Sequence, residues 1–275
     1  MTIERARRPG PSVRTRVVEH AGDSEIERED RLVTEEPLEI RVRVGGLEPR
    51  RAWVTMRTPG HDFELAAGWL VNEGLASPST LGQVAYCTDD DLDPEQEFNV
   101  VTVTLTGAAD LPHRHVAASA GSSACGVCGK DSVAEALQIV SATPWSGVRP
   151  GADVVRRLPD ALRERQVVFE RTGGVHAAAL ADADGTMLVV REDVGRHNAV
   201  DKVVGARVLG GDPPAAACLV LSGRVGFELV QKAAASGIGS IVAVGAPTSL
   251  AARLAREAGI ELWGFTSPGR TVNYC

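Results

Sequence analysis

From Val175 onward, short β-branched or alanine-rich runs alternate with amphipathic ones, and this alternation restricts the fold more than any other feature of the chain. "VHAAALAD" and "TMLVVRED" read as a strand pair around a turn at Asp184-Gly185, followed by a helix through "HNAVDKVVGARVL". Strand "ACLVLSG", helix "GFELVQKAAAS", strand "SIVAVGA", helix "SLAARLAREAG" and strand "IELWGF" complete the run. Helices placed between successive strands can cover both faces of a sheet, which predicts βαβ units, a largely parallel sheet and a three-layer α/β/α domain.

The first part of the chain has a different rhythm. "RLVTEEPLEIRVRVGG" (31–46) alternates apolar and charged side chains at Leu38, Ile40, Val42 and Val44, the period of a half-buried strand, and "RAWVTMR" continues as a second. Leu65, Trp69 and Leu70 make an amphipathic helix inside "TPGHDFELAAGWLVNEGL". "VAYCT" and "FNVVTVTLTG" are two further strands, joined by the acidic loop "DDDLDPEQE". The expected organisation is a mobile basic tail over 1–30, a small α+β domain over 31–115, a mobile segment over 116–130 and the α/β domain over 131–275. The tail rests on five arginines in the first sixteen residues without hydrophobic periodicity.

In an open α/β sheet, ligands sit beyond the carboxyl ends of the strands, where loops meet helix N-termini. Four loops fall there: "REDVGRHN" (191–198), "SGRVG" (222–226), "GAPTS" (245–249) and "GFTSPGR" (264–270). Gly195, Gly223 and Gly269 allow close backbone approach, and Arg196, Arg224 and Arg270 carry the fork geometry that suits phosphate. His176, His197, Asn198 and Ser222 add polar groups at the same places. The pattern points to a phosphate-bearing ligand, although no dinucleotide or Walker fingerprint is present.

Between the two patterns stands "SSACGVCGK", with Cys125 and Cys128 as the one pair of the five cysteines at a spacing that suggests chemistry. A structural zinc ion wants four ligands, and no second pair exists in the sequence, so no intrinsic metal is expected. A redox dithiol at the start of a helix finds support in Ser132 and Glu135, which have capping-box spacing. A sulfur-carrying nucleophile finds support in the small neighbours and in Lys130, which would favour the thiolate. The odd cysteine count argues for a reducing compartment, and no window reaches the length of a membrane span, so a cytoplasmic protein with no membrane association is expected. A net charge of −7 argues against nucleic acid as a partner.

Taken together, "SSACGVCGK", "TGGVHAAAL", "REDVGRHNAVDKVVG", "SGRVGFELVQKAA" and "GAPTSLA" resemble the formate dehydrogenase accessory sulfurtransferase family, FdhD, and "MRTPGHDFELAAGWLVNEG" matches its N-terminal unit. The resemblance implies a cytidine-deaminase-like fold without the deaminase zinc. It implies a sulfurtransferase that accepts persulfide sulfur from a cysteine desulfurase and passes it to the molybdenum bis(molybdopterin guanine dinucleotide) cofactor, bound as a substrate, so that formate dehydrogenase becomes active. By the same resemblance Cys125 carries the persulfide with Cys128 as its partner, a guanine nucleotide binds at Phe265, Thr266, Ser267, Pro268, Gly269 and Arg270, and the protein is a homodimer. Ser267 stands where the family pattern leads one to expect arginine, and Arg270 is the nearest guanidinium in sequence. Two other readings remain open at this point, a cofactor-binding chaperone without sulfur chemistry and a dithiol oxidoreductase.

Overall fold

A computed structural model describes residues 8–87, 97–106 and 142–275. Cys125, Cys128 and the capping box at Ser132 lie outside the described residues, as does most of the acidic loop.

The N-terminal pattern folds as its alternation predicts. Strands β3 (Glu36–Val44), β4 (Arg50–Arg57), β5 (Leu81–Tyr86) and β6 (Val100–Leu105) form one sheet in the order β4-β3-β6-β5, with β3 and β6 parallel and the outer pairs antiparallel. Helix α1 (Asp62–Asn72) packs Leu65, Trp69 and Leu70 against Leu38, Ile40, Val101 and Val103. Trp53 and Trp69 stack with ring centroids 5.0 Å apart.

Residues 12–33 depart from the expectation of an irregular basic tail. They form a hairpin of β1 (Ser12–Ala21) and β2 (Ser24–Val33), which turns at Gly22 with φ 61°. Charges hid the strand period here, because positions that could alternate apolar with polar are filled by charged residues that pair across the ladder instead. Arg14 lies 3.6 Å from Glu29, His20 lies 3.3 Å from Glu25, and Arg28 bonds Glu19.

The second sheet contains β7 (His176–Ala181), β8 (Met187–Asp193), β9 (Cys218–Leu221), β10 (Ser240–Ala243), β11 (Glu261–Ser267) and β12 (Arg270–Asn273), in the order β12-β11-β10-β9-β7-β8. It is mixed and not largely parallel. Only β9, β10 and β11 pair in parallel, while β7 runs against β8 and β9, and β12 against β11. The links before β8 and β12 are too short for a crossover, so each must close a hairpin. Because β7 lies reversed between β8 and β9, strands β8 to β11 still point the same way and end on one edge.

Helices cover both faces. Helix α2 (Ala152–Arg163) lays Val155, Leu158 and Leu162 on Ala179, Val220 and Val242, and the short α3 (Val167–Thr172) follows it. On the other face α4 (Arg196–Leu209), α5 (Phe227–Ala235) and α6 (Ser249–Glu257) bury Val203, Leu229 and Leu254 against Leu180, Leu219 and Ile241. Ahead of α2, Trp145 lies on Gly239, and Arg149 donates to the carbonyls of Gly239 and Gly259, both at 2.9 Å. This strap sits where β10 and β11 begin.

Helices α1 and α4 join the two units with almost no space between them. A Cβ on Gly68 would lie 1.8 Å from the Asp201 carbonyl oxygen, and one on Gly205 would lie 1.8 Å from that of Glu64. Beside this crossing, Asn72 donates to the buried Asp201 at 2.7 Å and Lys232 donates to it at 2.9 Å, with Glu73 3.2 Å from the same ammonium. Burial works against the charge on Lys232, but the two carboxylates outweigh it and raise its pKa. Gly205→Ala has no room for its methyl group and should lower unfolding free energy by about 3 kcal/mol or more. Gly46→Ala, with nothing within 4 Å of the added carbon, should stay within about 0.5 kcal/mol of wild type. Urea midpoints at unchanged slope check both.

Candidate functional site

The loops that leave β9, β10 and β11 are laced backbone to backbone. Gly245 N–H donates to the Gly223 carbonyl at 3.1 Å, Val225 N–H to Ala246, Thr248 N–H to Val225, and Phe265 N–H to Gly245. The crossing is close enough that a Cβ on Gly245 would lie 2.9 Å from Gly223 O, so glycine is required there. Helices α4, α5 and α6 start from these loops and the one after β8, with Gly195, Gly226 and Thr248 as N-caps. Three helix N-termini therefore share one sheet edge, a setting that favours anions.

His176 begins β7 opposite Asp193 and so stands at that same edge. Its ring lies over Gly223, where a Cβ would come within 3.3 Å of Nδ1. Partial burial lowers its pKa, and Arg196, His197 and Arg224 lower it further, against a smaller upward pull from Asp193. The imidazole is thus neutral at pH 7, surrounded by cationic groups from two of the predicted loops. Ser222 Oγ accepts from Ala177 N–H at 2.8 Å, which ties the second loop to β7.

A cavity of about 600 Å³ opens beside this cluster. Five predicted residues line it: His176, Ser222, Thr266, Ser267 and Pro268. The others take different places. Asn198 is buried, and its amide donates to Met56 O at 2.8 Å and to Asp193 at 3.1 Å, so it holds the first loop on the N-terminal unit instead of facing the mouth. His197 is paired with Glu228 at 2.6 Å. Gly195 is a helix cap, its N–H donating to Asp193 at 2.8 Å. Phe265 and Arg270 turn outward, the guanidinium 5.1 Å from the ring centroid, and Gly269 sits in the exposed turn between them. Phe265 holds φ 51°, a conformation costly for an aromatic residue and a mark of functional sites.

The sequence reading missed the far wall. Asp160, Arg163, Gln166 and Phe169 come from α2, α3 and their link, a stretch read only as a short helix. It also missed Glu228, whose position in the first turn after "SGRVG" was the available signal. Burial raises the pKa of Glu228, but the bond to His197 outweighs it and the shift is downward. No group of acidic, histidine and cysteine residues suited to a metal ion occurs among the described residues, and none of their helices is long and apolar enough to cross a membrane.

Fold and site together define a mixed α/β protein with three sheets among its described residues, in which loops from one edge of the six-stranded sheet meet at a cavity. Residues 33–275 match the model of the FdhD/NarQ family, and the chain belongs to that family. The sulfur carrier protein FdhD of Nocardia farcinica is 44% identical over 265 residues, 95% of this chain and 92% of its own length. That of Streptomyces coelicolor is 46% identical over 247 residues, covering 86% and 84%. A crystal structure of a Desulfotalea psychrophila protein, described as a formate dehydrogenase accessory protein, superposes with a TM-score of 0.71 over 96% of each chain. At 22% identity that likeness carries the fold alone.

The electrostatics of the edge give a direct test. Followed by NMR, His176 should titrate below the ordinary imidazole range in the free protein. Arg224→Gln should raise its midpoint, and so should a bound diphosphate, since removing a cation or adding an anion favours the imidazolium. An unmoved midpoint in both cases would remove the anion-binding reading of this edge.

Proposed function

We propose that this chain is a sulfur carrier and sulfurtransferase of molybdenum cofactor maturation. In this reading Cys125 accepts sulfane sulfur from a cysteine desulfurase and transfers it to a molybdenum bis(molybdopterin guanine dinucleotide) substrate bound at the edge described above, for use by formate dehydrogenase. The observation that carries the proposal is the pairing of CGVCGK with a laced, cation-bearing loop edge in a chain about 45% identical, over most of its length, to proteins named sulfur carriers. A dinucleotide substrate brings pyrophosphates, which suit helix N-termini and the guanidinium groups of Arg196 and Arg224. The layered helices and mixed sheet suit the cytidine-deaminase type of scaffold, and a homodimer acting in the cytoplasm goes with the family resemblance.

The loading step is a thiolate exchange. The Cys125 thiolate attacks the terminal sulfur of the desulfurase persulfide, the S–S bond of the donor breaks, the donor cysteine leaves as thiolate, and Cys125 becomes a persulfide. Unloading has two routes. In one, the Cys128 thiolate attacks Cys125 Sγ, so that a Cys125–Cys128 disulfide forms and the outer sulfur departs with two electrons as sulfide to the metal. In the other, Cys128 takes the sulfane sulfur and relays it. The first oxidises the dithiol at each turnover and needs a reductant, such as a cellular thiol, to reset it; in the second the Cys128 thiolate leaves unoxidised, and the two electrons that bring the sulfane sulfur to sulfide must come from the substrate's metal.

Incubation with a cysteine desulfurase and L-cysteine, followed by intact mass, should add one sulfur atom to the wild type and none to Cys125→Ala. Formate dehydrogenase activation should be lost with the same variant. Full activation by Cys125→Ala would make the protein a chaperone of the cofactor, and reduction of insulin without sulfur uptake would make it a dithiol oxidoreductase. Non-reducing intact mass of the wild type after sulfur delivery separates the routes, since only the first leaves a Cys125–Cys128 disulfide.

A further inference from the structure

The hairpin of β1 and β2 is a sheet of two strands, and neither strand pairs with any other among the described residues. Its base is fixed. Thr34 N–H donates to the Pro11 carbonyl at 3.0 Å, a Cβ on Gly174 would lie 2.8 Å from Val33, and β2 packs on α3. Beyond the base, every residue from 18 to 29 is exposed, and Val13, Val18, Ile26 and Leu32 are each 50% exposed or more. The hairpin lies almost wholly ahead of residue 33, where the match to the family model begins. A two-stranded ribbon is marginally stable in water, and each open edge presents unpaired backbone donors and acceptors. Added strands would remedy both.

The two edges are not equivalent. When an edge strand pairs antiparallel with its own copy about a two-fold axis normal to the sheet, one residue sits on the axis and faces itself. The central residues of β2 are Glu27, Arg28, Glu29 and Asp30, so any such pairing there sets like charges face to face. Along β1 the corresponding stretch offers Thr15, Val17 and Val18. With Val17 on the axis the overlap runs from Val13 to Ala21, and Thr15 meets Glu19, Arg16 meets Val18 and Arg14 meets His20 of the other copy. Arg14 and His20 are each already paired with a β2 carboxylate, Glu29 at 3.6 Å and Glu25 at 3.3 Å. An axis at Thr15 would instead set Arg14 against Arg16, and one at Val18 shortens the overlap. We propose that β1 is the contact strand of a two-fold dimer, in which two hairpins join into one four-stranded sheet of order β2-β1-β1-β2. The hairpin face that carries Val13, Val17, Ile26 and Leu32 then continues across both copies. The inference rests on the homodimer reading above and gives it a contact surface. Since the hairpin base meets Gly174, which lines the cavity, the same contact sets the two cavities in a fixed relation.

Sedimentation velocity of the full-length protein over a dilution series tests it, and the wild type should sediment as a dimer. Val17→Lys sets an ammonium against its own copy on the axis and should raise the dimer Kd by about 10-fold or more. Glu27→Lys changes charge on the outer strand and should leave the Kd within about 3-fold of wild type. Because a lysine at position 17 also burdens the hairpin itself, Val17→Cys gives an independent reading. Oxidation of that variant with diamide should produce a covalent dimer whose disulfide, located by peptide mapping, joins position 17 of one copy to position 17 of the other, a gain that misfolding does not produce. Dimerisation indifferent to Val17→Lys, equal weakening by both lysine variants, or an oxidised Val17→Cys dimer joined only through the native cysteines overturns the β1 contact while leaving a homodimer built on another surface. A monomeric wild type removes the homodimer reading and this inference together, with the carrier function standing. If a cysteine desulfurase then binds the wild type but not Val17→Lys, the edge belongs to the desulfurase and not to a second copy.

Discussion

Asp193 is the knot on which the rest of the structure depends. Its carboxylate is fully buried at the end of β8, a costly place for a charge unless every lone pair is used. Lys202 from α4 meets it at 2.6 Å, and it accepts from the N–H groups of Thr58 at 3.2 Å and Gly195 at 2.8 Å as well as from Asn198. Those donors come from the N-terminal unit, the first ligand loop and the helix that loop begins. One side chain thus fixes the register of β8, the start of α4 and the seat of the first sheet on the second. Glu64 and Arg191 repeat the arrangement nearer the surface, with bonds of 2.5 and 2.8 Å. Burial resists the charge on Glu64, but Arg191 and His61 overcome it and hold the carboxyl at about 2.

Much of the second unit was legible because strand and helix periods differ and each element there is bounded by glycine or proline. Helices α4, α5 and α6 fall where "HNAVDKVVGARVL", "GFELVQKAAAS" and "SLAARLAREAG" placed them. Period says which face of an element is apolar, but not which neighbour will cover it. Hence the hairpin of β7 and β8 was read, but the pairing of β7 with β9, the added β12 and the hairpin of β1 and β2 were not seen, since each depends on a pairing partner.

The candidate site divides the same way. Loops at strand ends were readable because topology sends them all to one edge, and His176, Ser222 and Thr266 to Pro268 indeed meet at the cavity. Asn198 and His197 looked like ligand groups because they are polar and sit in a glycine-bearing loop, yet their partners Met56 and Glu228 are distant in sequence. Gln166 carried no signal, because an amide beside two valines and an arginine reads as a helix surface until folding closes a wall over it. The overall charge of −7 likewise says nothing about an edge where Arg196, Arg224 and three helix N-termini converge.

Trp145 and Arg149 moor the chain to the rim where β10 and β11 begin, while the cavity lies at the rim where those strands end. Fastening and cavity thus occupy opposite ends of the same strands, so that loops at one end can vary in sequence while the other end keeps the strands in place.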